Sequence, residues 1–218
     1  MRRFKVLGLA VMAVFALASV LSASAFASSP ENLPVSASER TYTGGSEGSV
    51  TLEGATKVTC TSAPSSGGEA PGATSGTYHI DFKGCTTLGG AVKCQSLGDP
   101  KGEILVSGTW SLPWDVLSEL LTAILFEQET VHLECATTLV EVKGKVLCLD
   151  LEATSSKTTH SFHCIANKTE ATEKTYYDGS GNAHTAQLLC SINHGEFKEC
   201  AELALGTVTY AEAIFADV

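Results

Sequence analysis

The sequence predicts an all-β fold: an antiparallel sandwich, or a barrel, that is stapled by disulfides and carries one short amphipathic helix near 114–127. Three observations support this prediction. The chain of 218 residues contains many short runs rich in Val, Ile, Thr and aromatic residues, separated by Gly, Asn, Asp and Pro. Two of these runs alternate apolar and polar residues, and the eight cysteines form an even set.

The first 27 residues have the features of a cleaved signal peptide. Arg2, Arg3 and Lys5 form a basic start, an apolar stretch follows, and the Ala-Phe-Ala of 25–27 supplies the small residues that signal peptidase requires. A membrane anchor would need about 20 apolar residues, and this stretch is shorter. We therefore expect the mature protein to be exported and to be secreted, or extracellular.

The charge of the chain limits its partners. The formal net charge is −10, and loss of the three basic residues with the signal peptide makes the mature chain more acidic still. The remaining Lys and Arg residues are scattered, whereas binding to phosphates needs a concentrated basic surface. We expect no nucleic acid partner. Because no later stretch approaches about 18 continuous apolar residues, we also expect no membrane insertion after signal cleavage.

Residues 28–48 are rich in Ser, Gly, Pro and Glu without apolar periodicity, and they predict a flexible lead-in. Residues 49–218 predict a single secreted β domain, for which one hydrophobic core suffices. Its predicted strands are Val50–Leu52, Lys57–Thr61, Gly76–Phe82, Val92–Gln95, Glu103–Trp110, Thr130–Ala136, Thr138–Leu149, Thr159–Ile165, Lys174–Tyr177, Thr185–Ser191 and Gly206–Tyr210.

The clearest strand signal is a run in which Val131, Leu133 and Cys135 share one face while His132 and Glu134 take the other. The next run along the chain repeats the two-residue period over a longer stretch. One face of each strand should therefore be buried and the other wet. This pattern favours an antiparallel sheet over a parallel sheet, whose strands are apolar on both faces.

Residues 114–127 depart from the two-residue period. A proline precedes them, and acidic residues occupy what would be the first helical turn. The apolar residues that follow helical spacing are Leu117, Leu120, Leu121, Ile124 and Leu125. The segment predicts an amphipathic helix that covers an end or edge of the sheet.

All eight cysteines lie beyond the signal peptide, and an even set in an oxidising compartment predicts four disulfides. They are Cys60, Cys85, Cys94, Cys135, Cys148, Cys164, Cys190 and Cys200. Many pairings are possible. Local spacing favours Cys85–Cys94 and Cys190–Cys200, which leaves Cys60–Cys135 and Cys148–Cys164 as the simplest completion. No C-x2-C pair is present, so zinc is disfavoured, and we predict no metal site and no cofactor.

Three short motifs resemble functional signatures but lack the remainder of each. Gly44–Gly48 fits G-x-S-x-G, yet it lies in the predicted lead-in instead of a strand-to-helix elbow. Asp178–Asn182 begins like a calcium loop, but Ala183 stands where that loop needs glycine, so a hairpin turn is predicted. The His132-Leu133-Glu134 triplet lacks the P-C-x-x-C of zinc deaminases. No catalytic residue is predicted.

Four aromatic residues are the best candidates for ligand binding: Trp110, Trp114, Tyr176 and Tyr177. Flat aromatic faces on a rigid β scaffold stack on sugars or apolar ligands at low entropic cost. The competing interpretation is that these side chains pack in the core. Tyr176 and Tyr177 are adjacent on a predicted strand, so one of them should face outward. An extracellular glycan or cell-wall component is the expected partner.

Several stretches resemble a family of uncharacterised, secreted, β-rich proteins of soil actinobacteria. The resemblance spans about Gly76 to Glu199. The matching pieces are Phe82-Lys83-Gly84-Cys85, Lys93-Cys94-Gln95-Ser96, Lys101-Gly102-Glu103-Ile104, Val131-His132-Leu133-Glu134-Cys135, Val140-Glu141-Val142-Lys143-Gly144 and Ile192-Asn193-His194-Gly195-Glu196-Phe197. The resemblance implies a secreted β fold and supplies no reaction, ligand or catalytic residue.

These observations predict a secreted, non-catalytic β domain that acts in extracellular binding or as a structural component at the cell surface. The predicted export and acidity and the lack of a coherent catalytic motif support this expectation. The alternative is a secreted hydrolase that acts on an extracellular polymer. Such an enzyme would need a cleft with paired carboxylates or a Ser–His contact assembled in three dimensions.

Overall fold

The computed structural model of the chain describes residues 39–54, 56–70, 74–113, 115–116, 123–150, 157–166, 175–178 and 180–214. The predicted signal peptide and Trp114 lie outside these residues. The strands are β1 (Arg40–Ser46), β2 (Val50–Glu53), β3 (Lys57–Cys60), β4 (Ser65–Glu69), β5 (Ser75–Lys83), β6 (Thr86–Thr87), β7 (Val92–Ser96), β8 (Glu103–Ser111), β9 (Asp115–Val116), β10 (Ala123–Cys135), β11 (Thr138–Asp150), β12 (Lys157–Ala166), β13 (Thr175–Tyr177), β14 (Ala183–Thr185), β15 (Leu188–Ile192) and β16 (Lys198–Ile214). The predicted all-β class is confirmed.

Thirteen of these strands form one antiparallel sheet that closes on itself. Several consecutive strands lie end to end along the same neighbour, so the sheet has eight strand positions. In order around the sheet they are β1–β2, β3–β4, β5–β6, β7–β8, β10, β11, β12 with β15, and β16. β16 pairs back onto β1, with Tyr210 opposite Tyr42. The sequence predicted either a sandwich or a barrel, and the structure is a single sheet closed into a ring.

Strands β9, β13 and β14 form a second sheet, which among the described residues is not hydrogen-bonded to the closed sheet. Tyr176 of β13, and Ala186 just after β14, meet residues of β10 and β11 in a separate apolar cluster. That cluster contains Ala123, Leu125, Leu147, Leu149, Tyr176 and Ala186. Leu147 is fully buried although it alternates with the inward-facing Val146 and Cys148. The small sheet therefore covers part of the outer face of the closed sheet.

Large aromatic side chains inside the closed sheet lie over glycines directly opposite them on the next strand. A Cβ atom at Gly67 would stand 2.3 Å from the Tyr42 hydroxyl oxygen, and one at Gly76 would stand 2.7 Å from the Trp110 ring. Both distances are too short for real atoms. The opposed pairs are Tyr42 with Gly67, Trp110 with Gly76, and Tyr78 with Gly108. These glycines make room for rings that fill the interior, and the rings cover backbone that glycine leaves bare.

Each of the four disulfides joins neighbouring strand positions: Cys60–Cys85, Cys94–Cys135, Cys148–Cys164 and Cys190–Cys200. Cys85 lies between β5 and β6, and the other seven cysteines lie within strands. The eight predicted half-cystines and the last two pairings are confirmed. The predicted Cys85–Cys94 and Cys60–Cys135 bridges are wrong.

The register explains this correction. Cys60, Cys85, Cys94 and Cys135 stand in one row across four adjacent strand positions. Cys94 donates a backbone hydrogen bond of 2.9 Å to the carbonyl of Cys85. In antiparallel strands the side chains of a hydrogen-bonded pair stand farther apart than those of the alternate pairs, whose Cα atoms also lie closer together. The two bridged pairs have Cα atoms 3.9 and 4.2 Å apart.

The helix predicted near 114–127 is wrong wherever the structure describes it. Residues 115–116 form β9, and β10 begins at Ala123, while 117–122 lie outside the described residues. Ile124 belongs to the interior core, and Leu125 belongs to the outer cluster beneath the small sheet. Because both faces of this strand end are covered, it reads as a continuous apolar run, which periodicity cannot tell from a buried helix.

The flexible lead-in predicted for 28–48 is corrected over its last part, because β1 occupies Arg40–Ser46. Tyr42 and Val50 are both buried, and β1 pairs with two strands, β4 and β16. The Ser and Gly content that suggested mobility serves close packing instead. A Cβ atom at Gly44 would stand 2.2 Å from the backbone oxygen of Thr207.

We expect Gly76→Ala to lower the free energy of unfolding by about 1–3 kcal/mol, because the new methyl group collides with the Trp110 ring and with the backbone oxygen of Gly68. Urea denaturation of the purified domain measures this loss. The matched control is Gly45→Ala, where the nearest atoms stand 3.4 Å from the new Cβ. Equal midpoints for the two variants would contradict the packing described here.

Candidate functional site

The closed sheet encloses a cavity in two adjoining compartments. The larger has a volume of about 120 Å³ and the smaller about 60 Å³. Every one of the eight strand positions contributes at least one residue to the lining of the larger compartment. The cavity is therefore the interior of the sheet and not a fold in its outer surface.

The lining is mainly apolar. Val58, Ile104 and Leu133 are typical of the smaller compartment, and Val146 and Phe162 of the larger. The larger compartment also reaches Ser46, Ser65 and Thr207 near the strands that close the sheet. Two polar side chains line both compartments: Gln128 of β10 and Glu202 of β16. The polar groups common to the whole cavity are thus one amide and one carboxyl group.

Strand geometry places Glu202 inside. Alternate residues of a strand face the same side, and Cys200 and Tyr210, which share the side of Glu202, are both buried in the interior core. Leu205 and Thr209, on the other side, are exposed. β16 pairs with β2 on one edge and β12 on the other at this point, with Glu202 opposite Leu52 and Ala166. The backbone on both sides therefore holds the carboxyl group in the lumen.

Burial dominates the electrostatics of Glu202. Removal of the carboxyl group from water raises the pKa of Glu202 to about 7. Neither compartment has a Lys, Arg or His among its described lining residues. Within the described part of the chain, no hydrogen bond or ion pair reaches this side chain either. Glu202 is accordingly a carboxyl group in an apolar cavity without a cation beside it.

The polar residues of the site came from stretches that sequence reasoning did not single out. Gln128 lies next to a β-bulge between Gln128 and Val131, just after the segment 114–127 that was predicted as a helix and before the predicted strand Thr130–Ala136. Glu202 lies in the first half of β16, ahead of the predicted strand Gly206–Tyr210. The signal that could have found Glu202 is the two-residue alternation of Cys200, Glu202, Ala204 and Gly206, which continues the predicted strand backwards.

The four predicted aromatic residues do not gather in one place. Trp110 is 2% exposed and belongs to the interior core, whereas Tyr176 is 9% exposed and belongs to the outer cluster. Tyr176 stacks on His184, with ring centroids 5.4 Å apart. Tyr177 is half-buried on the small sheet, and Trp114 lies outside the described residues. The role of these side chains in ligand binding stays a prediction.

The calcium-like motif at Asp178 forms the hairpin turn that was predicted. The backbone amides of Ser180 and Asn182 each donate a hydrogen bond of 2.9 Å to one carboxylate oxygen of Asp178. The other oxygen lies 2.9 Å from His184 Nε2. These bonds hold the pKa of Asp178 well below its usual range. The side chain thus serves the turn between β13 and β14.

The serine of the G-x-S-x-G match is also engaged in structure. The Ser46 hydroxyl donates to the backbone oxygen of Gly48 at 2.7 Å and accepts from the amide of Ala63 at 3.1 Å.

His132 and His194 flank Glu141 on the outer face, and Glu141 accepts a 2.7 Å hydrogen bond from Ser191. Over the described ranges, no group of three or more His, Cys, Asp or Glu residues is arranged to hold a metal ion.

The fold and the cavity define the chain as a closed antiparallel β domain with a small internal site. Comparison with protein-family models, with curated proteins and with solved structures found no match. In the part of the chain that the structure describes, no helix has both the length and the apolar character needed to cross a membrane.

We expect the free energy of unfolding of Glu202→Gln to exceed that of the wild type by a margin that grows as the pH rises. The folded chain holds the Glu202 proton up to a pH of about 7, whereas an unfolded glutamate loses it near about 4.3. The wild type therefore loses stability between these two values, by about 4 kcal/mol in total, and glutamine does not titrate.

Urea denaturation at pH 4 and pH 8 measures the effect. The difference between Glu202→Gln and wild type should be small at pH 4 and large at pH 8. Glu134→Gln, on the outer face of β10, is the control and should track the wild type at both values. A constant difference across the pH range would show that Glu202 ionises freely in the folded protein.

Proposed function

We propose that the chain is a secreted, non-catalytic binding domain whose site is the interior cavity. The observation that carries the proposal is a mainly apolar cavity, enclosed by a continuous ring of hydrogen-bonded strands, with two polar groups shared by its compartments. Apolar cavities with a few placed polar groups are the usual sites of small ligands. The polar groups fix the orientation of the ligand, and the apolar wall supplies the affinity.

The size of the cavity limits the ligand. An engineered apolar cavity of about 150 Å³ binds benzene. The larger compartment, at about 120 Å³, fits a molecule of the size of benzene or slightly smaller. The adjoining compartment of about 60 Å³ extends the available space past Glu202. The proposed ligand is therefore a small organic molecule and not a polymer chain.

Secretion is part of the proposal and has two supports. The eight cysteines are all paired, and such pairs persist in oxidising compartments outside the cytosol. The N-terminal sequence has the charge, apolar stretch and small residues of a signal peptide. The two supports are independent, because one rests on side-chain pairing in the fold and the other on the composition of residues outside it.

The alternative of a polymer hydrolase has weaker support. Glycoside hydrolysis uses two carboxyl groups about 5–10 Å apart across the scissile bond. Glu202 is the one carboxyl group among the described lining residues of either compartment. The expected glycan or cell-wall partner would have to stack on exposed aromatic faces, and of the described candidates only Tyr177 keeps partial exposure.

We expect benzene to raise the thermal unfolding midpoint of the wild type by a few degrees, because a ligand that binds only the folded state stabilises it. Ala204→Leu should abolish this shift, since the larger side chain fills the compartment that Ala204 lines. Ala201→Leu is the control on the outer side of the same strand and should keep the shift. An unshifted wild type, or an equal shift in both variants, would contradict the proposed site.

A further inference from the structure

We propose that the ligand of the interior cavity carries a protonated amine, which forms an ion pair with Glu202. This inference rests on the proposed function and adds the chemical class of the ligand. It follows from three observations: the position of the carboxyl group between the compartments, the lack of a cation in the described lining, and the small volume of the cavity.

The carboxyl group lies at the junction of the two compartments. Glu202 lines both compartments, as do Val50, Phe82, Val106 and Gln128. These residues form the waist between the two spaces. A ligand with its body in the larger compartment would place its polar end at this waist. Ser46, Ser65 and Thr207 line only the larger compartment, so Glu202 and Gln128 are the polar side chains at the waist itself.

A buried carboxylate without a partner lacks the electrostatic stabilisation that a cation beside it would supply. Charges inside a protein interact more strongly than in water, and an uncompensated buried charge is costly. An ammonium group supplies the opposite charge and up to three hydrogen-bond donors in the same place. An alcohol supplies one donor and no charge, and a carboxylic acid ligand would bring a second negative charge. The amine is therefore the head group that gains most from this site.

No other ionisable group of the described lining competes for this role. The remaining titratable side chains that face the cavity are Tyr42 and Tyr78. Burial raises the pKa of both phenols far above the neutral range, so they stay uncharged. Cys60, Cys148 and Cys164 also line the cavity, but they are disulfide-bonded and carry no charge. No histidine is among the described lining residues.

Binding of the amine moves one proton. Before binding, near pH 6, Glu202 holds its proton and the amine in solution is already an ammonium ion. When the ion pair forms, the Glu202 proton leaves to the solvent and the ammonium keeps its own protons. Charge balances, because one cation enters the cavity and one proton leaves it.

The test compares three ligands that share the benzene ring sized above and differ in one end group: benzylamine, benzyl alcohol and ethylbenzene. Titration calorimetry at pH 6, in two buffers of different ionisation enthalpy, gives the affinity and the number of protons released. For the wild type we expect the amine to bind roughly tenfold or more tightly than the alcohol. We also expect release of about one proton per amine bound and none for the other two ligands.

Glu202→Gln should lose the preference for the amine and the proton release, while it keeps binding of the alcohol. Glu134→Gln on the outer face should behave like the wild type. Binding of all three ligands with equal affinity, unchanged in Glu202→Gln, would overturn the amine inference and leave the binding site in place. Failure of all three ligands to bind the wild type would overturn the proposed function and this inference with it.

Discussion

The pairing of β1 with β16 is the constraint on which the rest of the structure depends. Five residue pairs, from Tyr42 with Tyr210 to Ser46 with Gly206, join the first described strand to the last. This contact turns a meander of strands into a ring with no free edge. Without it, water would reach the lumen along the open side. The desolvation of Glu202, and hence its altered acidity, follows from closure of the ring.

The fold class could be predicted because the two-residue period is a local property. Val131, Leu133 and Cys135 bury one face of β10 and leave His132 exposed, as that period requires. The period fails as a guide where a second layer covers the outer face. Leu125 and Leu147 lie under the small sheet, so strand ends there are apolar on both sides. The choice between sandwich and closed ring also escaped prediction, because it depends on pairing between residues far apart in the sequence.

The site was harder to predict than the fold. A glutamate in an alternating strand is ordinarily solvent-facing, and nothing local marks Glu202 as different from Glu134. Only the continuation of the alternation from Tyr210 back to Cys200 places it inside. For Trp110 the sequence left two interpretations, ligand binding and core packing. Gly76 opposite it opens the space that the ring occupies in the core.

The row of four half-cystines has a consequence for how the protein matures. Cys85 neighbours both Cys60 and Cys94 across the strands, so a nascent chain can form a bridge on either side of it. A bridge between Cys85 and Cys94 would leave two thiols stranded at opposite ends of the row, beyond each other's reach. Those thiols can still attack the misplaced bond by thiol–disulfide exchange, which restores the native order. Maturation of this chain therefore depends on an environment that oxidises thiols and also allows them to be reshuffled.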